Sequence, residues 1–161
     1  MKAFSVNYKF TQRFPVPAQE AFEWATDYQP TDLALMGEEG TRTIQRITED
    51  TIILIENITH AKEKTSKVKL VRLIPRALSW HNIHIRGPNK YSEFLYEITP
   101  EGKGGSKLTF TGLMVLYSKD NLSHQTLKQI ASREKHYDSK AWKRLANAMA
   151  KDHQIRVKRN P

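Results

Sequence analysis

The sequence has no cysteine, so disulfides, thiolate metal sites and cysteine nucleophiles are excluded together. That absence suits a reducing compartment. No apolar run approaches the ~20 residues of a membrane-spanning helix, and the opening Met1-Lys2-Ala3-Phe4-Ser5-Val6-Asn7-Tyr8 lacks the apolar centre of a secretory signal. A cytoplasmic protein is the expectation. Glycine and proline are scarce, with 7 of each in 161 residues, and they gather into no linker; with no internal repeat either, one domain spanning 1–161 is expected. No phosphate-binding loop is left, because the Gly102–Gly105 cluster opens a hairpin rather than a helix, and no nucleophile elbow is present. Nucleotide hydrolysis and serine-hydrolase chemistry are therefore disfavoured. The six histidines are scattered, the pair His60 and Glu63 sits beside a lysine-rich turn, and His81 and His84 would project to opposite faces of one strand. Neither a metal nor a cofactor is expected.

What the chain does have is one long stretch, Asp120 to Ile155, with no proline or glycine and with mostly good helix formers. It reads as a helix of about 50 Å, with Asp120 and Asn121 as candidate N-caps. Leu127, Ile130, Ala131, Tyr137, Ala141, Trp142, Leu145, Ala148 and Met149 fall on one arc of its wheel, and Lys128, Arg133, Lys135, Lys140, Lys143 and Lys151 fall outside it. A dry face of that length needs a large apolar partner surface. The net charge of +9 is uneven, since residues 120–161 carry ten Lys and Arg against four Asp and Glu. The basic face and the tail Arg156-Val157-Lys158-Arg159 predict, besides simple solvation, weak contact with an anionic membrane surface or nucleic acid.

Upstream, Phe4, Val6, Tyr8 and Phe10 alternate with polar residues, the period of a strand running to about Phe14. Pro15 and Pro17 end it, and Pro17 opens a helix over Ala18–Ala25; a second short helix, Asp32–Met36, is closed by Gly37. Six strands follow, near 41–48, 51–59, 66–74, 77–86, 91–99 and 106–117, separated by turn signals that include Glu49-Asp50, Ala61–Thr65 and Gly87-Pro88-Asn89. The fold class is thus α+β: a seven-stranded curved antiparallel sheet wrapped around a long C-terminal helix, with two short helices after the first strand.

The segment from Tyr8 through Phe14-Pro15-Val16-Pro17-Ala18-Gln19-Glu20-Ala21-Phe22-Glu23-Trp24 resembles the opening of the START-related helix-grip superfamily (SRPBCC). In that group a first strand ends in a small or proline-rich turn, and the helix after it begins with a proline, a small residue and an acid. The order of elements matches along the whole chain. The superfamily includes lipid-transfer START domains, plant allergens and hormone receptors, polyketide cyclases and aromatases, and coenzyme Q-binding proteins. The resemblance implies a deep apolar cavity between sheet and long helix and a small hydrophobic ligand such as a lipid, isoprenoid or polyketide-like aromatic. The tight Glu49-Asp50 turn stands where plant allergens carry a glycine-rich loop, which argues against that branch.

Strand parity predicts which side chains line such a cavity. With Lys67 and Lys69 placed in solvent, Val68, Leu70, Arg72 and Ile74 turn inward. Lys107 similarly directs Phe110 and Met114 inward, and Glu93 and Glu97 direct Phe94 and Tyr96. His81, Ile83 and Ile85 are read as inward, with Trp80, Asn82 and His84 outward. Tyr8 and Phe10 come from the first strand. Ile130, Glu134, Tyr137, Asp138 and Ala141 come from the long helix, where Glu134 and Asp138 stand one turn apart near the apolar arc. A carboxylate in a dry setting finds a cation or takes up a proton, and Arg72 is the predicted partner. Binding of a hydrophobic ligand is the leading reading. The alternatives are a cyclase or dehydratase in which Glu134, Asp138 or His81 moves protons, and an interaction protein using the basic helix.

Overall fold

The computed structural model describes residues 1–60 and 62–160; Ala61 at the head of one expected turn, Pro161 and the side chain of His60 lie outside the described residues. The chain runs β1 (Lys2–Phe14), α1 (Ala18–Thr26), α2 (Asp32–Met36), β2 (Glu39–Thr48), β3 (Thr51–His60), β4 (Glu63–Ile74), a single 3-10 turn (Pro75–Ala77), β5 (Ser79–Arg86), β6 (Glu93–Glu101), β7 (Gly105–Ser118) and α3 (His124–Arg159). All strands pair antiparallel in the order β1-β7-β6-β5-β4-β3-β2. α1 and α2 therefore carry the chain from one edge of the sheet to the other, and α3 lies against its inner face. Among the described residues no helix is long and apolar enough to cross a membrane.

α3 begins later than Asp120 and ends later than Ile155. Ser123 is its N-cap, its side chain accepting from the Thr126 amide. Asn121 Oδ1 instead accepts from Lys2 Nζ at 2.5 Å, and the Asp120 amide donates to Ser118 Oγ. At the other end Arg156 is drawn onto Glu20, which His153 Nδ1 also meets at 2.9 Å. The basic tail is thus helical, and part of its charge is matched within the chain.

Aromatic side chains fill most of the space between α3 and the sheet. Trp80, 1% exposed, stacks on Tyr96 with ring centroids 4.7 Å apart and meets Phe22 and Trp142. Phe10 stacks on Phe110 at 4.6 Å. Gly112 lies under Tyr8, Phe94 and Phe110, and a Cβ there would come within 3.0–3.2 Å of all three rings. The rings converge because that position has no side chain.

Parity fails on β4 and β5. On β4, Lys67, Lys69 and Val71 face the helix while Arg72 is exposed, because the Lys69 ammonium meets Glu56 Oε2 at 2.6 Å inside the fold. On β5, Trp80, Asn82 and His84 are buried and line the interior, whereas His81 pairs with Glu93 at 3.3 Å on the outer surface. On β2, Arg42 and Ile44 point in, and Thr41, Thr43 and Gln45 are exposed. The physical reason is that the outer face is itself apolar: Ile53, Leu70 and Ile83 are consecutive cross-strand partners, and Ile55 pairs with Val68. A strand greasy on both faces gives no alternation to read.

Candidate functional site

Where the aromatic packing stops, a chamber of about 140 Å3 remains between the sheet and the middle of α3. Tyr8, Phe94, Tyr96, Phe110, Met114 and Trp142 wall it, and Leu33 and Met36 of α2 close one side. A second hollow of about 70 Å3 shares Met36, Arg42, Glu56, Lys69, Asn82, Tyr96 and Trp142 with it and reaches Trp24, Tyr28 and Trp80. Outward, the chamber meets a recess of about 350 Å3 that shares Glu38, Ile58, Lys67, Asn89, Glu134 and Tyr137. Ligand pockets commonly occupy roughly 300–1,000 Å3. The inner chamber alone is small, and only together with its mouth does it reach that range.

Its floor is charged. Glu56, 1% exposed, accepts from Arg42 Nε at 2.9 Å and meets Lys69 Nζ at 2.6 Å. Burial alone would raise its pKa, but Lys69 and Arg42 together hold it down at about 2. Asp32 stands 3.6 Å from Arg42 and, through burial and the neighbouring Asp27, is raised to about 6. A rigid cation–anion–cation bridge thus ties β2, β3 and β4 together at the base of the chamber.

Across from it, Tyr8 Oη donates to Asp138 Oδ2 at 2.6 Å. Burial, and after it the charge of Glu134, lifts Asp138 to about 6 against the bond from Tyr8. The Tyr8 hydroxyl is raised far above its ordinary value by burial and by Asp138, so it stays protonated. His84 is depressed to about 3 by burial and by Lys69 and Lys67, and is neutral. Its Nδ1 and Asn82 Oδ1, in side chains 6% and 5% exposed, find no hydrogen-bond partner among the described residues. In a packed interior such atoms are costly to leave unmade.

The raised Asp138 carries a stability consequence. A carboxyl whose folded pKa lies above its unfolded value of 3.8 binds its proton more tightly when folded, so its contribution is present below about pH 4 and lost as pH rises through about 6. Asp138→Asn keeps an oxygen to accept from Tyr8 and removes the charge. The variant should be more stable than the unchanged protein by about 1–2 kcal/mol above pH 7, after allowing for screening at the mouth, and no more stable at pH 4. Thermal unfolding across that pH range checks both limits.

Of the residues expected to line the cavity, Tyr8, Phe94, Tyr96, Phe110, Met114, Glu134, Tyr137, Asp138 and Ala141 come together around the chamber. Phe10 lies behind Phe110, and Ile130 is partly buried against the core. Arg72, His81 and Ile83 are corrections: they sit on the outer face for the reason given above, so Arg72 is not the partner of Asp138 and His81 touches no chamber atom. The sequence reading missed Arg42, Glu56, Lys67, Lys69, Asn82 and His84. Glu56 was the available signal, a lone acid ending the run Ile52-Ile53-Leu54-Ile55 and facing two lysines on the next strand of the hairpin. Among the described residues no cluster of three or more His, Asp or Glu is arranged to hold a metal.

An open antiparallel sheet gripping a long C-terminal helix, with two short helices after the first strand, is the START-related helix-grip fold, and the chain has it. The structure is similar to the ZhuI aromatase/cyclase of Streptomyces sp. R1128, with a TM-score of 0.72 at 13% identity over 96% of each chain. It also resembles a protein of Thermus thermophilus, with a TM-score of 0.74 at 13% identity, covering 89% of this chain and 97% of that one. A START superfamily protein of Mycobacterium smegmatis gives 0.66 at 13% identity, covering 84% and 93%. No family model and no curated protein matches the sequence.

Proposed function

We propose that the protein binds a small amphipathic molecule, with a planar apolar part in the recess beside α3 and a polar end in the chamber beneath it. The observation that carries this reading is a chamber walled by aromatic rings yet holding Asn82 Oδ1 and His84 Nδ1 without protein partners. Burial of the ring would supply affinity at about 25 cal/mol per Å2, and the polar end would satisfy the unpaired atoms. The inner volume of about 140 Å3 disfavours a long lipid chain. Native mass spectrometry after incubation with a cell extract tests the reading. Retention of one small planar amphiphile is the expected result, and failure to retain any molecule counts against it.

A second reading is favoured by the Tyr8–Asp138 pair: a carboxyl poised near 6 beside a protonated phenol can exchange a proton with a bound substrate. ZhuI is an aromatase/cyclase, and proton transfers on a bound polyketide-like aromatic are chemistry this pair could serve. Asp138→Asn separates the readings, because a carrier tolerates it and an acid–base enzyme does not.

A further inference from the structure

Seven charged side chains line the chamber, and six are matched. Arg42, Glu56 and Lys69 hold one another, Asp138 receives Tyr8, Glu38 receives Tyr137, and Glu134 meets Arg133 at 3.0 Å. Lys67 is the exception. It lines both the inner chamber and the mouth, is only partly exposed, and forms no ion pair or side-chain hydrogen bond among the described residues. Lys69, two residues along the same face of β4, is the cross-strand partner of His84, so Lys67 and the unpartnered His84 Nδ1 belong to one corner of the chamber. Glu56, Glu38 and Asp138 act on Lys67 electrostatically but form no ion pair with it, so a half-desolvated ammonium beside an unpartnered imidazole nitrogen leaves two polar groups without a close partner.

We infer that this corner is a carboxylate subsite: the ligand is a planar aromatic acid whose carboxylate pairs with Lys67 and accepts from His84 Nδ1–H. The inference rests on the ligand-binding reading above and narrows it to one chemical class. Desolvation and the adjacent Lys69 depress the Lys67 ammonium, and a bound carboxylate would reverse that depression. The ring then lies toward the recess, against Ile58 and Tyr137. Asp138 and Glu38 each accept from a tyrosine and form no ion pair with Lys67.

The test compares 2-naphthoate with its neutral isostere 2-naphthamide by isothermal titration. The unchanged protein should bind naphthoate about ten- to a hundred-fold more tightly, the range of a charge-assisted hydrogen bond. In Lys67→Met that preference should fall to about one, with naphthamide binding altered little; Lys67→Arg should keep part of it. Thermal unfolding of Lys67→Met, expected at or above the unchanged midpoint, shows that the variant is folded. Equal binding of the two probes to the unchanged protein, or a preference that survives Lys67→Met, overturns the carboxylate subsite and leaves the ligand-binding reading in place. Failure of both probes to bind overturns both.

Discussion

Glu56→Gln should cost about 3 kcal/mol of folding stability at pH 7, seen as a lower urea midpoint at unchanged slope. The amide fills the same volume but leaves the buried ammonium of Lys69 without a counter-charge and the guanidinium of Arg42 without its closest one. Removing one member of a buried charge network typically costs about 3–5 kcal/mol. The low end applies here because Asp32, 3.6 Å away, continues to face Arg42. The pH dependence has the opposite sense to that of Asp138. Glu56 has a folded pKa near 2 and an ordinary value of 4.5, so its contribution is complete above about pH 4.5 and is lost as pH falls toward 2. Acid unfolding of the unchanged protein should therefore steepen below pH 4, and Glu56→Gln should flatten that limb. An unchanged urea midpoint would mean that the three side chains are not joined in solution.

Trp80→Ala should lose about 3–5 kcal/mol, the usual range for a large aromatic deleted from a packed interior. Trp80 touches Tyr96, Phe22 and Trp142 and forms one wall of the 70 Å3 hollow, so its removal opens apolar space next to the chamber instead of letting the core collapse. A dry cavity of that kind accepts an aromatic guest. Added indole should therefore raise the thermal midpoint of Trp80→Ala while leaving that of the unchanged protein where it was. A midpoint insensitive to indole would show that Tyr96 and Trp142 close over the gap.

Trp80 also marks the limit of what the sequence could disclose. β1 was legible because Val6, Tyr8 and Phe10 are buried and Ser5, Asn7 and Lys9 are not, and α2 because Gly37 adopts the left-handed conformation that ends it. The long amphipathic stretch identified the partner of the sheet in the same way, since Ala141, Trp142, Leu145 and Met149 had to be covered. β4 and β5 were illegible for two separate reasons. Lysine normally seeks water, so Lys67 and Lys69 pointed the reading outward, and only the register against Glu56 shows that an internal anion holds Lys69. On β5, Trp80 and Ile83 are both apolar and lie on opposite faces, so no alternation distinguished them. The chamber inherits that division: its α3 and β6–β7 walls were read from the sequence, while its charged β2–β5 floor required the coordinates.

The most direct measurement is isotope-filtered NMR on the protein saturated with 2-naphthoate, reading which side chains give contacts to the ring protons. Cross-peaks to Ile58, Thr65 and Tyr137 are predicted, because these line the recess beside α3 where the ring lies. Contacts confined to Ile74, Leu95 and Leu113 would place the guest on the outer apolar face of the sheet and contradict a binding site under the helix.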